Sequence, residues 1–247
     1  MRRVLFEWRG IRVYSYPFML YLGIVCGVIA GTYLAGPRGL NPSRTYVAML
    51  VLVLPAIVGS RLLFVISHWD LYRHQLDRIW RRSEGGAALY GGLIAALLLS
   101  VPLLGALSLP VGAFWDAATI TILVGMIFTK IGCLLNGCCA GHATESWIGL
   151  CLPNVQGIWR RRLPSQILEA AFAGILLLLA LAQWHSAPFP GVVFLVCLLV
   201  YAAGRWVLEG FRENIDQFAG MSLHRVISAG LAALSVFGLV LLWPRGA

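Results

Sequence analysis

Gly125-Met-Ile-Phe-Thr-Lys130-Ile-Gly132-Cys133-Leu-Leu-Asn136-Gly137-Cys138-Cys139-Ala-Gly141-His142 closes a long apolar run and holds the chain's only lysine. A lysine near the centre of a bilayer costs roughly 2.5–3.5 kcal/mol on insertion scales. Three cysteines, an asparagine and several glycines follow it within a few turns. Lys130, Cys133 and Asn136 recur every three residues, so on a helix they form one stripe. A polar seam of this kind needs partners from elsewhere in the chain.

The background to that seam is apolar. Of 247 residues 60% are hydrophobic and only 12% charged. That balance predicts an all-α polytopic membrane protein. Seven apolar spans of about 20 residues are expected, starting near Tyr14, Tyr46, Ala87, Val111, Pro164, Gly191 and Ser222. The first run is too long for the apolar core of a usual signal peptide. No soluble domain or internal repeat is visible, so residues 1–247 read as one integral membrane domain. Residues 1–13 read as an interfacial segment, 68–86 as a polar loop or surface helix, and 136–163 as a polar loop.

Net charge is +9, carried by arginines dispersed between apolar spans. That dispersion argues for membrane lipid as a partner and against nucleic acid. Of the six cysteines, Cys26 and Cys197 lie inside apolar spans, which excludes a secreted disulfide framework. Cys133, Cys138, Cys139 and His142 could be read as a soft metal cluster. Adjacent cysteines match no common zinc spacing, so no metal is expected.

Two further seams stand out. In the sixth span Arg205, Glu209 and Arg212 fall at i, i+4 and i+7, one face of a helix. In the fifth span Gln166 and Glu169 follow Pro164-Ser165, and the Ser-to-Glu spacing of a capping box is not met. With Arg61 and Arg162, these cations and their accompanying acids and amides suit an anionic headgroup or a phosphate leaving group.

At these residues the chain resembles the prolipoprotein diacylglyceryl transferase family. Gly59-Ser60-Arg61 resembles that family's glycine-arginine end of the second span. Tyr90-Gly91-Gly92-Leu93 resembles its His-Gly-Gly-Leu. The run from Lys130 to Gly137 resembles the signature Gly-Arg-Leu-Gly-Asn-Phe-Ile-Asn-Gly. Arg162 to Glu169 resembles Arg-His-Pro-Ser-Gln-Leu-Tyr-Glu, and Arg205-x3-Glu209-x2-Arg212 its Arg-x3-Glu-x2-Arg. The resemblance implies a multi-pass enzyme of the bacterial inner membrane with a central lipid-binding cavity. It implies transfer of diacylglyceryl from phosphatidylglycerol to the lipobox cysteine of preprolipoprotein signal peptides, without a cofactor. Arg205, Glu209 and Tyr90 become the expected catalytic residues. Arg61, Lys130, Asn136, Gly137, Gln166, Glu169, Arg212 and Tyr16 become the expected substrate-binding residues.

Tyr90 replaces a histidine of the family pattern, Lys130 an arginine and Cys133 an asparagine. A diverged paralogue that only binds lipid is the alternative these changes raise, and a small-solute transporter a weaker one. The resemblance also places the amino terminus on the periplasmic side. The arginines oppose this, because the amino terminus and the loops at 68–86 and 136–163 hold most of them.

Overall fold

The computed structural model describes residues 2–73, 75–80, 89–154, 157–212, 217–218 and 221–243. The chain divides into two units, one of residues 1–34 with 115–247 and one of residues 35–114.

The larger unit starts with an antiparallel hairpin, β1 (Val4–Trp8) and β2 (Ile11–Tyr14). Arg9 at φ 49° and Gly10 at φ 82° form its two-residue turn, and positive φ at both positions matches the right-handed twist of the strands. The interfacial segment expected at 1–13 is therefore largely strand. Helix α1 (Ser15–Ala35) follows directly.

The second unit holds α2 (Pro42–Ser67), the short α3 (Trp69–Tyr72) and α4 (Leu89–Ala106). Asn41 caps α2 by accepting the Arg44 N–H at 3.1 Å. The segment expected as a polar loop or surface helix contains α3 and a 3₁₀ turn at Leu76–Trp80; residues 81–88 lie outside the described residues. Helices α2 and α4 meet backbone to backbone. A methyl group on Gly59 would stand 2.5 Å from the Gly91 carbonyl oxygen, and one on Gly92 2.7 Å from that of Ala56. Glycine is required there because no Cβ fits between the helices.

Helix α5 (Val111–Asn136) returns to the larger unit, where it crosses α1. The Thr121 hydroxyl donates to the Gly27 carbonyl at 2.9 Å. Beyond α5, β3 (Leu150–Pro153) and β4 (Trp159–Arg162) form a hairpin inside the stretch expected as a polar loop. Helices α6 (Ser165–Ala182), α7 (Val192–Glu209) and α8 (Leu223–Leu242) complete the unit, with the short pair β5 (Gln217–Phe218) and β6 (Met221–Ser222) before α8. Buried Asp116 on α5 accepts the Gly191 N–H at 2.8 Å and the Phe194 N–H at 3.0 Å. It thereby caps the N-terminus of α7, where a negative charge also meets the positive end of the helix dipole.

Among the described residues, six helices are long and apolar enough to cross a membrane, and α4 is a shorter apolar helix. The all-α polytopic architecture read from the sequence is present. Two boundaries differ from expectation. Pro164 precedes α6 rather than opening it. Helix α7 stops at Glu209, so Arg212 does not continue the stripe of Arg205 and Glu209.

Candidate functional site

The polar residues of the larger unit come together where α5, α6 and α7 bring their seams into register. Lys130 Nζ pairs with Glu169 Oε2. Glu169 Oε1 faces Arg205 Nη1 at 4.0 Å, and Arg205 Nη2 meets Glu209 Oε2 at 2.6 Å one turn further along α7. The Ser222 hydroxyl donates to Glu209 Oε1 at 3.0 Å. The result is an alternating row of two cations and two carboxylates. Its last pair is nearly sealed, with Arg205 and Glu209 side chains 5% and 1% exposed. Each charge alone would be costly to bury; alternation lets each offset its neighbour.

Among the buried atoms at this row that make no hydrogen bond among the described residues are Arg205 Nη1, Glu169 Oε1 and Gln166 Oε1. These three amount to one charged donor and two acceptors. The other end of the Gln166 amide is committed, since Nε2 donates to the Cys138 carbonyl at 2.6 Å. The Ser165 hydroxyl likewise donates to the Cys139 carbonyl at 2.6 Å. The Pro-Ser-Gln sequence thus ties the start of α6 to the segment that follows α5. The sequence reading missed Ser165 and Ser222; Ser165 was visible only as part of that motif.

The way α5 ends places this segment. Gly137, at φ 77°, donates to the Leu134 carbonyl at 3.2 Å, and the Cys138 N–H donates to the Cys133 carbonyl at 3.1 Å. This is a Schellman turn, which needs a left-handed residue just past the helix. Cys139 is also left-handed, at φ 61°. Gly141 then bridges Arg212, and Ala143 bridges Arg162. Residues 138–144 are therefore strapped between the end of β4 and the end of α7. The Asn136 carbonyl accepts Arg3 Nε at 3.2 Å, which joins the amino-terminal hairpin to the same corner. Tyr16, in the first turn of α1, lies against Gly132.

The sulfur atoms of Cys133, Cys138 and Cys139 lie within 4.8 Å of one another. Cys139, beyond the end of α5, holds its thiol well below the ordinary range. Sulfur hydrogen bonds from Cys133 and Cys138 do most of this, and the charges of Lys130 and Arg212 add to it against the opposing effect of burial.

Lys130, Asn136, Gly137, Gln166, Glu169, Arg205, Glu209, Arg212 and Tyr16 all belong to the larger unit. Arg61 and Tyr90 belong to the other. There Arg61 Nε donates to the Ile79 carbonyl at 2.7 Å, and its guanidinium stacks near the rings of Phe64 and Tyr72. Tyr90 is buried in the first turn of α4.

Comparison with known proteins gives the family. The model of the prolipoprotein diacylglyceryl transferase family matches residues 3–242. The chain belongs to that family. It is 29% identical over 225 residues to the phosphatidylglycerol–prolipoprotein diacylglyceryl transferase 2 of Clostridium perfringens, covering 87% of this chain and 84% of that one. A phosphatidylglycerol–prolipoprotein diacylglyceryl transferase of Bacillus cereus is 29% identical over 242 residues, covering 91% of this chain and 88% of the relative. The family resemblance found in five short motifs thus extends along nearly the whole sequence. The enzyme class is transferase, and the setting is a multi-pass membrane protein.

Proposed function

We propose that this chain transfers diacylglyceryl from phosphatidylglycerol to the cysteine thiol of prolipoprotein signal peptides, giving a thioether and glycerol phosphate, in the bacterial inner membrane. The observation that carries this reading is the buried row Lys130–Glu169–Arg205–Glu209, in which Arg205 Nη1 faces a carboxylate but makes no hydrogen bond among the described residues. The residues of the row come from three of the motifs that characterise the family.

The chemistry follows from where charge develops. A thiolate attacks the glycerol carbon, and negative charge grows on the departing phosphate. A fixed cation aimed at that phosphate stabilises the transition state more than the ground state. Arg205 takes this role, since Glu209 holds Nη2 while Nη1, 4.0 Å from Glu169, makes no hydrogen bond among the described residues and can donate to the phosphate. Glu209 is thus a positioning residue. Lys130 and Arg212 hold the anionic headgroup. Gln166 Oε1 and Glu169 Oε1 accept from glycerol hydroxyls. Asn136 and Gly137 shape the turn that brings the cysteine segment beside the headgroup, and Tyr16 flanks it.

The test is direct. Purified protein is incubated with phosphatidylglycerol and a lipobox peptide, and the peptide mass and released glycerol phosphate are followed. Arg205→Ala abolishes both signals while the protein still inserts and stays monodisperse. Arg205→Lys remains impaired, because the planar fork is lost. A wild-type chain that retains phosphatidylglycerol on a lipid overlay yet makes no thioether is a lipid-binding paralogue instead. Reporter fusions at both termini decide orientation: a periplasmic amino terminus follows the family, a cytoplasmic one the arginines.

A further inference from the structure

The transfer needs a thiolate, and the residue that stands at the family's expected base is Tyr90. Tyrosine, with a reference pKa near 10, is a poor base at neutral pH. Beside the charged row the structure holds a different means of making a thiolate. Cys133, Cys138 and Cys139 present three sulfur atoms within 4.8 Å of one another, and no histidine or carboxylate atom joins that group among the described residues. Cys133 itself stands where the family pattern has asparagine.

The trio is built by backbone geometry rather than by chance proximity. The Schellman turn folds Cys138 back over Cys133. The left-handed conformation of Cys139 turns the chain again. Ser165 and Gln166 fix the carbonyls of both residues from α6, and the Gly141–Arg212 bridge fixes the strand beyond. Zinc–sulfur bonds of about 2.3 Å put tetrahedral sulfurs about 3.8 Å apart. Rotation of three thiol side chains closes the remaining gap of about 1 Å. Zinc in a structural site takes four protein ligands, whereas a catalytic zinc keeps three and an open position.

We propose that Cys133, Cys138 and Cys139 bind one zinc ion whose open fourth position takes the acceptor cysteine thiol of the protein substrate. The proposal rests on the transferase reading and supplies the proton-removal step that Tyr90 performs poorly. On binding zinc the three thiols release three protons, leaving a complex of net charge −1. Lys130, about one turn before Cys133 on α5, and Arg212, bridged to Gly141 just past the trio, offset it. The acceptor thiol displaces water at the fourth position and gives its proton to solvent, since a coordinating thiol is deprotonated. Its sulfur then forms a bond to the glycerol carbon as the carbon–oxygen bond to phosphate breaks. The electron pair leaves with glycerol phosphate, and the neutral thioether, a weaker ligand, departs from the metal. The sequence reading gave these cysteines no role because the nucleophile comes from the substrate; here they hold the metal and are not consumed.

The test uses the full chain in detergent. Zinc is measured by elemental mass spectrometry, and cobalt(II) is exchanged in as a coloured probe. Wild type takes up one equivalent. Cys133→Ser, Cys138→Ser or Cys139→Ser weakens metal affinity by at least about tenfold, while Cys197→Ser leaves it unchanged. A lipobox peptide shifts the cobalt bands, and the same peptide with serine for cysteine does not. Because serine variants can misfold, a second arm strips wild type with chelator and restores zinc; transfer falls and returns. Wild type that binds no metal, or stripped protein that transfers at the full rate, overturns the zinc site and leaves the transferase reading standing. Cobalt bands blind to the peptide thiol overturn the substrate-thiol role. A peptide-dependent cobalt shift in a chain without transferase activity supports the metal site and overturns the transferase reading.

Discussion

Two helix contacts, one in each unit, solve the same packing problem by opposite means. Between α2 and α4 the helices touch through Gly59, Gly91 and Gly92, with carbonyl oxygens where side chains would stand. Among α5, α6 and α7 the contact is made by long charged side chains that pair in a buried row. Lipid offers no hydrophobic drive for helices to associate, so close backbone approach and polar pairing are the two available sources of adhesion. The first tolerates no added atom. The second tolerates no missing charge, and only the second leaves groups over for chemistry.

The contrast is broken most severely by removing the central carboxylate. Glu169→Ala leaves Lys130 without its partner and Arg205 with one fewer, and stranding a buried charge costs about 3–5 kcal/mol. A large drop in the thermal midpoint in detergent is expected. Lys130→Met with Glu169→Met removes the pair together, keeps Arg205–Glu209, and regains most of the stability while transfer stays lost. Recovery of stability without activity would separate adhesion from catalysis within one row.

Gly91→Ala tests the other contact. Its Cβ would press on the Gly59 carbonyl and on the Leu63 side chain, and overpacking of this kind costs about 1–3 kcal/mol. A thermal midpoint equal to wild type would show that α2 and α4 have room to part. Asp116→Ala is the next smaller change: losing the cap on α7 costs about 0.5–2 kcal/mol, read by the same melting curve. The smallest effect belongs to Gly174→Ala in α6, where nothing lies within 4 Å of the added methyl. Helical glycine is about 0.5–1 kcal/mol worse than alanine, so this variant is expected to be slightly more stable. That outcome, set against Gly91→Ala, distinguishes glycine as spacer from glycine as mere composition.

Much of this architecture is legible in the sequence because lipid imposes one rule on every span. Long apolar runs declare the helices, and Gln166, Glu169, Arg205 and Glu209 declare themselves as polar residues that must be answered. Which group answers which is another matter. That Glu169 serves both Lys130 and Arg205 depends on three helices meeting, and no local pattern encodes it. Gln166 reads as a ligand for substrate, yet half of its amide is spent on the Cys138 carbonyl. The first hairpin was within reach: Arg9-Gly10 between branched and aromatic residues is a turn signal. The dense arginines speak to where such a segment lies and say nothing of strand pairing. The second hairpin is two four-residue strands, too short for alternation to rise above noise.

The buried row also bears on how the chain is made. Lys130 emerges from the ribosome well before Glu169, and Arg205 later still. When α5 reaches the translocon its lysine has no counter-ion, and Glu169 arrives on α6 only after the whole hairpin-bearing loop has been synthesised. Helix α5 therefore has reason to linger at the lateral gate, or to sit shallow with its lysine in the headgroups, until α6 reaches it. The last pair, Arg205 with Glu209, carries both charges on one helix and enters already neutral. Assembly of this unit is thus timed by charge: the buried row closes only when its central carboxylate has been translated.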